Sequence, residues 1–201
     1  MTSLVYSDIR LYRSVMQILY SGRYRKRFED ITALIPAGTR SVCDLCFGDT
    51  AIADWCRSQG VEWTGVDLNT SFCARARRLG YRVIEGDLMT MELPPADVFV
   101  MAGSLYHFHD RLEALCDRVW ARTGTFVVSE PVRNLSASRG PVGWWARRSA
   151  NPGNAHAAFR YDDTTLTEAL GQQGLRLGLT MRVVSVGRDM LVVMERLAAA
   201  G

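Results

Sequence analysis

A chain of 201 residues is one domain's worth of polypeptide, long enough to bury about 70% of the surface its unfolded form exposes. With 48% hydrophobic and 22% charged residues it is neither disordered nor fibrous, and a formal net charge of +3 is too small to announce nucleic acid or an acidic membrane as the partner. Nowhere do about 18 apolar residues run together, so no membrane span is expected, and Asp8, Arg10 and Arg13 interrupt the region where a signal peptide would be apolar.

In chain order, Val5, Ile9, Tyr12, Met16 and Leu19 step by four, three, four and three, which is one face of a helix. A second helical stretch runs through Phe28, Ile31 and Leu34 and stops at Pro36-Ala37-Gly38. The basic run Arg23-Tyr-Arg-Lys-Arg27 between these patterns reads as a solvated face. Short apolar strands then alternate with helices. Ser41–Leu45, Trp63–Asp67, Tyr81–Glu85, Asp97–Met101 and Thr125–Ser129 read as strands. Helical spacing falls between them at Ile52, Trp55 and Cys56, at Phe72, Ala76 and Leu79, and at Leu112, Leu115 and Val119. The alternation predicts an α/β domain, a three-layer sandwich with a mostly parallel sheet and helices on both faces. Thr165-Leu-Thr-Glu168 looks like a capping box opening a last helix that stops near Gly174. Two β-rich runs follow, Met181–Val186 and Met190–Met194, separated by Gly187-Arg188-Asp189. Three residues close a hairpin and cannot carry a parallel crossover, so the sheet has seven strands and the last is antiparallel.

Cys43, Cys46, Cys56, Cys73 and Cys116 are odd in number and read as free, mostly buried thiols of a cytoplasmic protein. Cys43 and Cys46 have C-x-x-C spacing, but no second pair follows at zinc-site distance and no metal is expected. In an open α/β sheet the ligand sits beyond the carboxyl ends of the strands. There the chain places Asp44, Asp67 and Asp87, one at each of the first three strand ends, with Gly48 where a backbone must turn and approach a ligand closely. A carboxylate at Asp67, about 20 residues after the first turn, is positioned to accept hydrogen bonds from both hydroxyls of a ribose.

Taken together, Val42-Cys-Asp-Leu-Cys-Phe-Gly-Asp-Thr50, Gly65-Val-Asp-Leu68, Glu85-Gly-Asp-Leu88, Ser104-Leu-Tyr-His-Phe108 and the terminal hairpin resemble the class I S-adenosylmethionine-dependent methyltransferases. The resemblance extends from about residue 39 to 196. It implies S-adenosylmethionine as cofactor and S-adenosylhomocysteine as product, with Asp44, Cys46 and Gly48 cradling the methionine part. It further implies Asp67 on the ribose, Asp87 on the adenine amino group, Leu68 and Leu88 on the adenine ring, and Ala102–Ser104, centred on Gly103, beside the transferable methyl group. The chain departs from the family pattern in its first loop, where Cys46 and Thr50 stand at the first and third of three usual glycines. The G-x-G-x-x-G fingerprint of nicotinamide dehydrogenases is absent, as is the Asn/Asp-Pro-Pro-Tyr signature of amino methyltransferases acting on bases or glutamine.

Methyl transfer needs a base only if the acceptor must lose a proton. Tyr106 and His107 are the candidate catalytic residues, with packing or loop fixation the other reading of His107. The stretch 131–161 is too long for an idle connection and is expected to form an acceptor-site insertion, as residues 1–36 form a helical lid on the single domain. Within the insertion Trp144, Trp145, Arg147 and Arg160 are candidate substrate contacts. The expected function is methyl transfer to an oxygen or nitrogen of a small molecule, with no nucleic-acid partner and a homodimer admitted. Two alternatives are a catalytically silent methyltransferase-like binding subunit and a nucleotide-dependent oxidoreductase.

Overall fold

Apolar residues that alternate along each central strand bury both faces of one sheet, and that alternation organises the molecule. The computed structural model describes residues 13, 14, 16–18, 20, 22–133 and 159–196. Strands β1 (Ser41–Leu45), β2 (Glu62–Asp67), β3 (Arg82–Glu85), β4 (Val98–Ala102), β5 (Thr125–Pro131), β6 (Leu179–Val186) and β7 (Asp189–Arg196) form a single sheet in the order β3-β2-β1-β4-β5-β7-β6. Strands β1 to β5 pair in parallel, and β7 pairs antiparallel with both β5 and β6. The seven strands and the antiparallel last strand are as the sequence predicts.

Val42, Val98, Val100, Val127, Leu191 and Val193 face one core, shared with Ile31, Ile52, Cys56, Phe72 and Ala76. These come from helices α1 (Tyr24–Thr32), α2 (Ala51–Gln59) and α3 (Thr70–Arg78). Leu45, Phe99, Met101, Phe126, Val128, Val192 and Met194 face the other core, shared with Leu115, Val119, Leu166 and Leu170. These helical residues belong to α4 (Leu112–Trp120) and α5 (Asp163–Leu177). Among the described residues no helix is long and apolar enough to cross a membrane.

Local signals set the helix ends. Gly60 closes α2 in the left-handed region at φ +70°, and the Asn69 side chain accepts hydrogen bonds from the backbone N–H groups of Ser71 and Phe72 to open α3. At α5 the sequence expectation needs correction on both sides. The capping box is Asp162 with Thr165, one turn earlier than Thr165–Glu168, and the helix passes through Gly174 to end at Gly178. The Asp162 carboxylate accepts from Thr165 N at 2.8 Å, so the acid, a better acceptor than a threonine hydroxyl, takes the first turn. Gly174 is buried against Met194 and Met181, so it serves packing and not termination. The β6–β7 connection is also tighter than expected, with only Gly187 and Arg188 outside the strands.

The solvated face expected for residues 23–27 is corrected too. Tyr24 and Arg27 are buried, and Arg27 Nε donates to Asp189 Oδ2 at 2.5 Å. Asp189, the first residue of β7, also accepts from Tyr20 Oη at 3.0 Å and from Ser129 Oγ at 3.0 Å. The turn of the C-terminal hairpin is thereby tied to α1. Of the first predicted helical face, Met16 is described, whereas Val5, Ile9, Tyr12 and Leu19 lie outside the described residues.

Candidate functional site

The carboxyl ends of β1, β2 and β3 meet at one corner, where backbone conformation does most of the positioning. After β1 the chain turns through Cys46 at φ +55° and Gly48 at φ +52°. Gly48 supports that conformation without strain. Cys46, with a Cβ, does so at a cost of about 1 kcal/mol. Cys46 N donates to Val66 O at 2.7 Å, and Gly48 N donates to the Asp67 carboxylate at 3.2 Å. The other Asp67 oxygen accepts from Asn69 N at 2.8 Å. Burial raises the Asp67 pKa, and these backbone donors work against that rise. At the end of β3, Asp87 accepts from Met89 N at 2.8 Å. Leu68 is 68% exposed at this corner, while Leu88 is buried.

These residues open onto a cavity of about 530 Å³. Cys46, Gly48, Asp67, Leu68, Asp87, Leu88 and Gly103 all line it, as do the catalytic candidates Tyr106 and His107. Asp44 lies beneath the cavity wall. Its carboxyl is fully buried, one oxygen accepts from Trp63 Nε1 at 3.3 Å, and Oδ1 has no partner among the described residues. Desolvation raises its pKa well above the ordinary carboxylate range. Gly65 explains how Trp63 reaches it. The indole passes over Gly65, where an added Cβ would sit 2.2 Å from Trp63 Cη2 and 2.7 Å from Phe47 Cδ1.

The opposite side of the cavity is built by α1 and by the chain after β4. Gly103 takes φ +72°, and a Cβ there would stand 2.6 Å from Arg27 Nη2. A 3₁₀ turn, Leu105–Arg111, then carries Tyr106, His107, Phe108 and Arg111 to the wall. The turn is pinned from below by Glu130, a fully buried carboxyl at the end of β5 that accepts from Leu105 N at 3.0 Å. Burial pushes Glu130 up to about 7, the hydrogen bond to Leu105 opposing it, and its Oε1 has no partner among the described residues. His107 is pushed down to about 4, first by desolvation and then by the charge of Arg160. It therefore stands neutral at pH 7, free to accept a proton but with low basicity.

Arg160 is not on the cavity wall; its guanidinium lies 3.7 Å from the Tyr106 ring centroid. Trp144, Trp145 and Arg147 lie outside the described residues. Cys43 and Cys46 are free thiols, with that of Cys46 raised by burial and by the surrounding acids. The sequence reading misses Tyr20, Tyr24, Arg27, Phe28, Arg111 and Glu130. Arg27 carries a visible signal, since it shares the helical face of Tyr24, Phe28 and Ile31, where a lone arginine is placed to meet a buried acid. Glu130 has none, because an acid just past an apolar strand looks like any strand-end residue.

Residues 43–128 match the family described as a methyltransferase domain. No curated protein sequence matches the chain. Among solved structures, human N-acetylserotonin methyltransferase, in complex with S-adenosylmethionine, superposes with a TM-score of 0.66 at 18% identity, covering 96% of this chain and 57% of that one. Magnesium protoporphyrin IX methyltransferase from Synechocystis, with bound S-adenosylhomocysteine, gives 0.66 at 13% identity and covers 96% and 91%. Mitomycin 7-O-methyltransferase gives 0.64 at 15% identity and covers 96% and 60%. The chain thus spans under two thirds of the length of the first and third of these. At such identities the likeness speaks for the fold, and the matched segment holds the strand-end corner from β1 to β5. Residues 43–128 match a methyltransferase-domain family, and the fold of the chain is that of the class I S-adenosylmethionine-dependent methyltransferases.

Proposed function

We propose that the protein moves a methyl group from S-adenosylmethionine to an oxygen or nitrogen of a small-molecule acceptor and releases S-adenosylhomocysteine. The observation that carries this reading is the convergence of Asp67, Asp87, Gly48 and Gly103 on one cavity. The residues fit the cofactor's chemistry. A carboxylate offers about four acceptor positions, and at Asp67 the bonds from Gly48 N and Asn69 N leave capacity for a ribose diol. Leu68 and Leu88 supply apolar surface for a ring, and Asp87 supplies an acceptor for an amino group. When bound, the cofactor supplies an already activated methyl group, so the protein's task is mainly alignment.

Two residues act on the acceptor. His107, neutral because of burial and Arg160, takes a proton from a hydroxyl as it becomes acidic in the transition state. Tyr106, whose ring centroid is 3.9 Å from that of His107, packs beside it and helps fix the acceptor. Glu130 holds the turn that carries both. Five free thiols suit a reducing compartment.

Isothermal titration with S-adenosylmethionine and S-adenosylhomocysteine tests the reading. Both should bind, and Asp67→Ala should weaken binding about 10- to 100-fold through loss of charge-assisted hydrogen bonds. No binding at millimolar ligand overturns it.

A further inference from the structure

Charge is segregated along the cavity. Its carboxylates, Asp67 and Asp87, belong to the strand-end corner. The side made by α1 and the Leu105–Arg111 turn contributes Arg27, His107 and Arg111 and no carboxylate to the wall. Arg27 is committed to Asp189. Arg111 is not committed in that way. Its one ion pair among the described residues is with the neighbouring Asp110 at 3.9 Å, and both side chains are half exposed or more. Such a contact neutralises little of the guanidinium charge.

Arg160 adds to the same potential from behind Tyr106, and no carboxylate pairs with it among the described residues. Two guanidinium groups at one end of a cavity, neither held by a buried carboxylate, create a local field that attracts anions. The cavity wall is rich in aromatic side chains, with Tyr20, Tyr24, Phe28, Tyr106 and Phe108 all lining it. These side chains suit a flat ring, and a guanidinium matches a carboxylate with two parallel hydrogen bonds.

We infer that the acceptor is an aromatic acid, its ring held between the tyrosines and phenylalanines of this end and its carboxylate read by Arg111. Arg111 is then a specificity-determining residue, and Arg160 reinforces the field without touching the ligand. The inference rests on the methyl-transfer reading above and names its substrate class.

The test uses the whole chain saturated with S-adenosylhomocysteine and titrates matched pairs of hydroxybenzoates and hydroxybenzamides. The acids should bind at least about tenfold more tightly than their neutral amides, as expected when a charge-assisted pair is lost. The ratio should fall towards one in Arg111→Gln and persist in Arg111→Lys, which keeps the charge. Equal binding of acid and amide, tighter binding of the amide, or binding of neither overturns the inference while leaving the cofactor reading intact. An unchanged ratio in Arg111→Gln overturns the role of that residue. Failure of S-adenosylhomocysteine itself to bind, measured first, removes both readings.

Discussion

At the strand-end corner of the cavity, Asp67 and Asp87 are held by backbone N–H groups within a few residues or one strand away, and the turn they surround is set by φ angles at Cys46 and Gly48. At the other end, buried side chains from elements spread over more than 160 residues do the holding: Arg27 of α1 pairs with Asp189 of β7, and Glu130 of β5 accepts from Leu105 N. Local backbone geometry makes the first end tolerant of distant change. The second end is a set of buried ionisable groups, each of which is costly when its partner goes.

Asp189→Ala breaks that comparison most severely if it is right. It leaves Arg27 buried without its carboxylate, and the expected loss is about 3–5 kcal/mol in urea unfolding. A loss below about 1 kcal/mol would mean that α1 is held by its aromatic packing instead. Glu130→Gln comes next and depends on pH. Glu130 has a folded pKa near 7, above its ordinary 4.5, so the folded state keeps the proton longer than the unfolded one. Its contribution is therefore fully present below about pH 4.5 and is lost as pH rises through about 7, to a limit of about 3 kcal/mol. Replacement by the neutral amide should raise stability most at pH 8 and hardly at pH 5, which a pair of melting curves reads directly. A gain of the same size at both values would show that the carboxyl is already screened. The smallest effect belongs to the backbone-held corner. Cys46→Gly should stabilise by up to about 1 kcal/mol by relieving a left-handed residue, and thermal melting measures it. Destabilisation would show that the thiol's packing outweighs the strain.

The same contrast explains what could be read in the chain before its structure. Strands that are apolar on both faces reveal themselves as runs such as Val42–Leu45 and Val98–Met101, and the three residues that the sequence leaves between its last two β-rich segments allow no topology but a hairpin. Strand-end acids follow from the strands, so Asp67 and Asp87 were visible as soon as the sheet was. Asp44 was visible as well, although it lies under the cavity wall because β1 turns that residue into the core that holds Trp63. Arg27 is hidden in the sequence because a basic run conceals which of its members lies on the apolar stripe. Glu130, Arg111 and the aromatic wall depend on where a turn and a helix dock, and a linear pattern carries no record of docking. The sequence pattern points to a capping box one turn late at α5 because Thr165 takes part in the motif as the partner and not as the cap.

One consequence follows from the place of β7 in the sheet. It is threaded between β5 and β6, and its opening residue, Asp189, is the anchor for a helix near the start of the chain. During synthesis on a ribosome, β7 emerges after the six other strands described in its sheet. Until it does, β5 has an unpaired edge and Arg27 lacks the Asp189 carboxylate. The nascent protein should therefore acquire its ligand-binding shape in one late step, when the hairpin slots in, and not by gradual maturation of the corner made by β1 to β3.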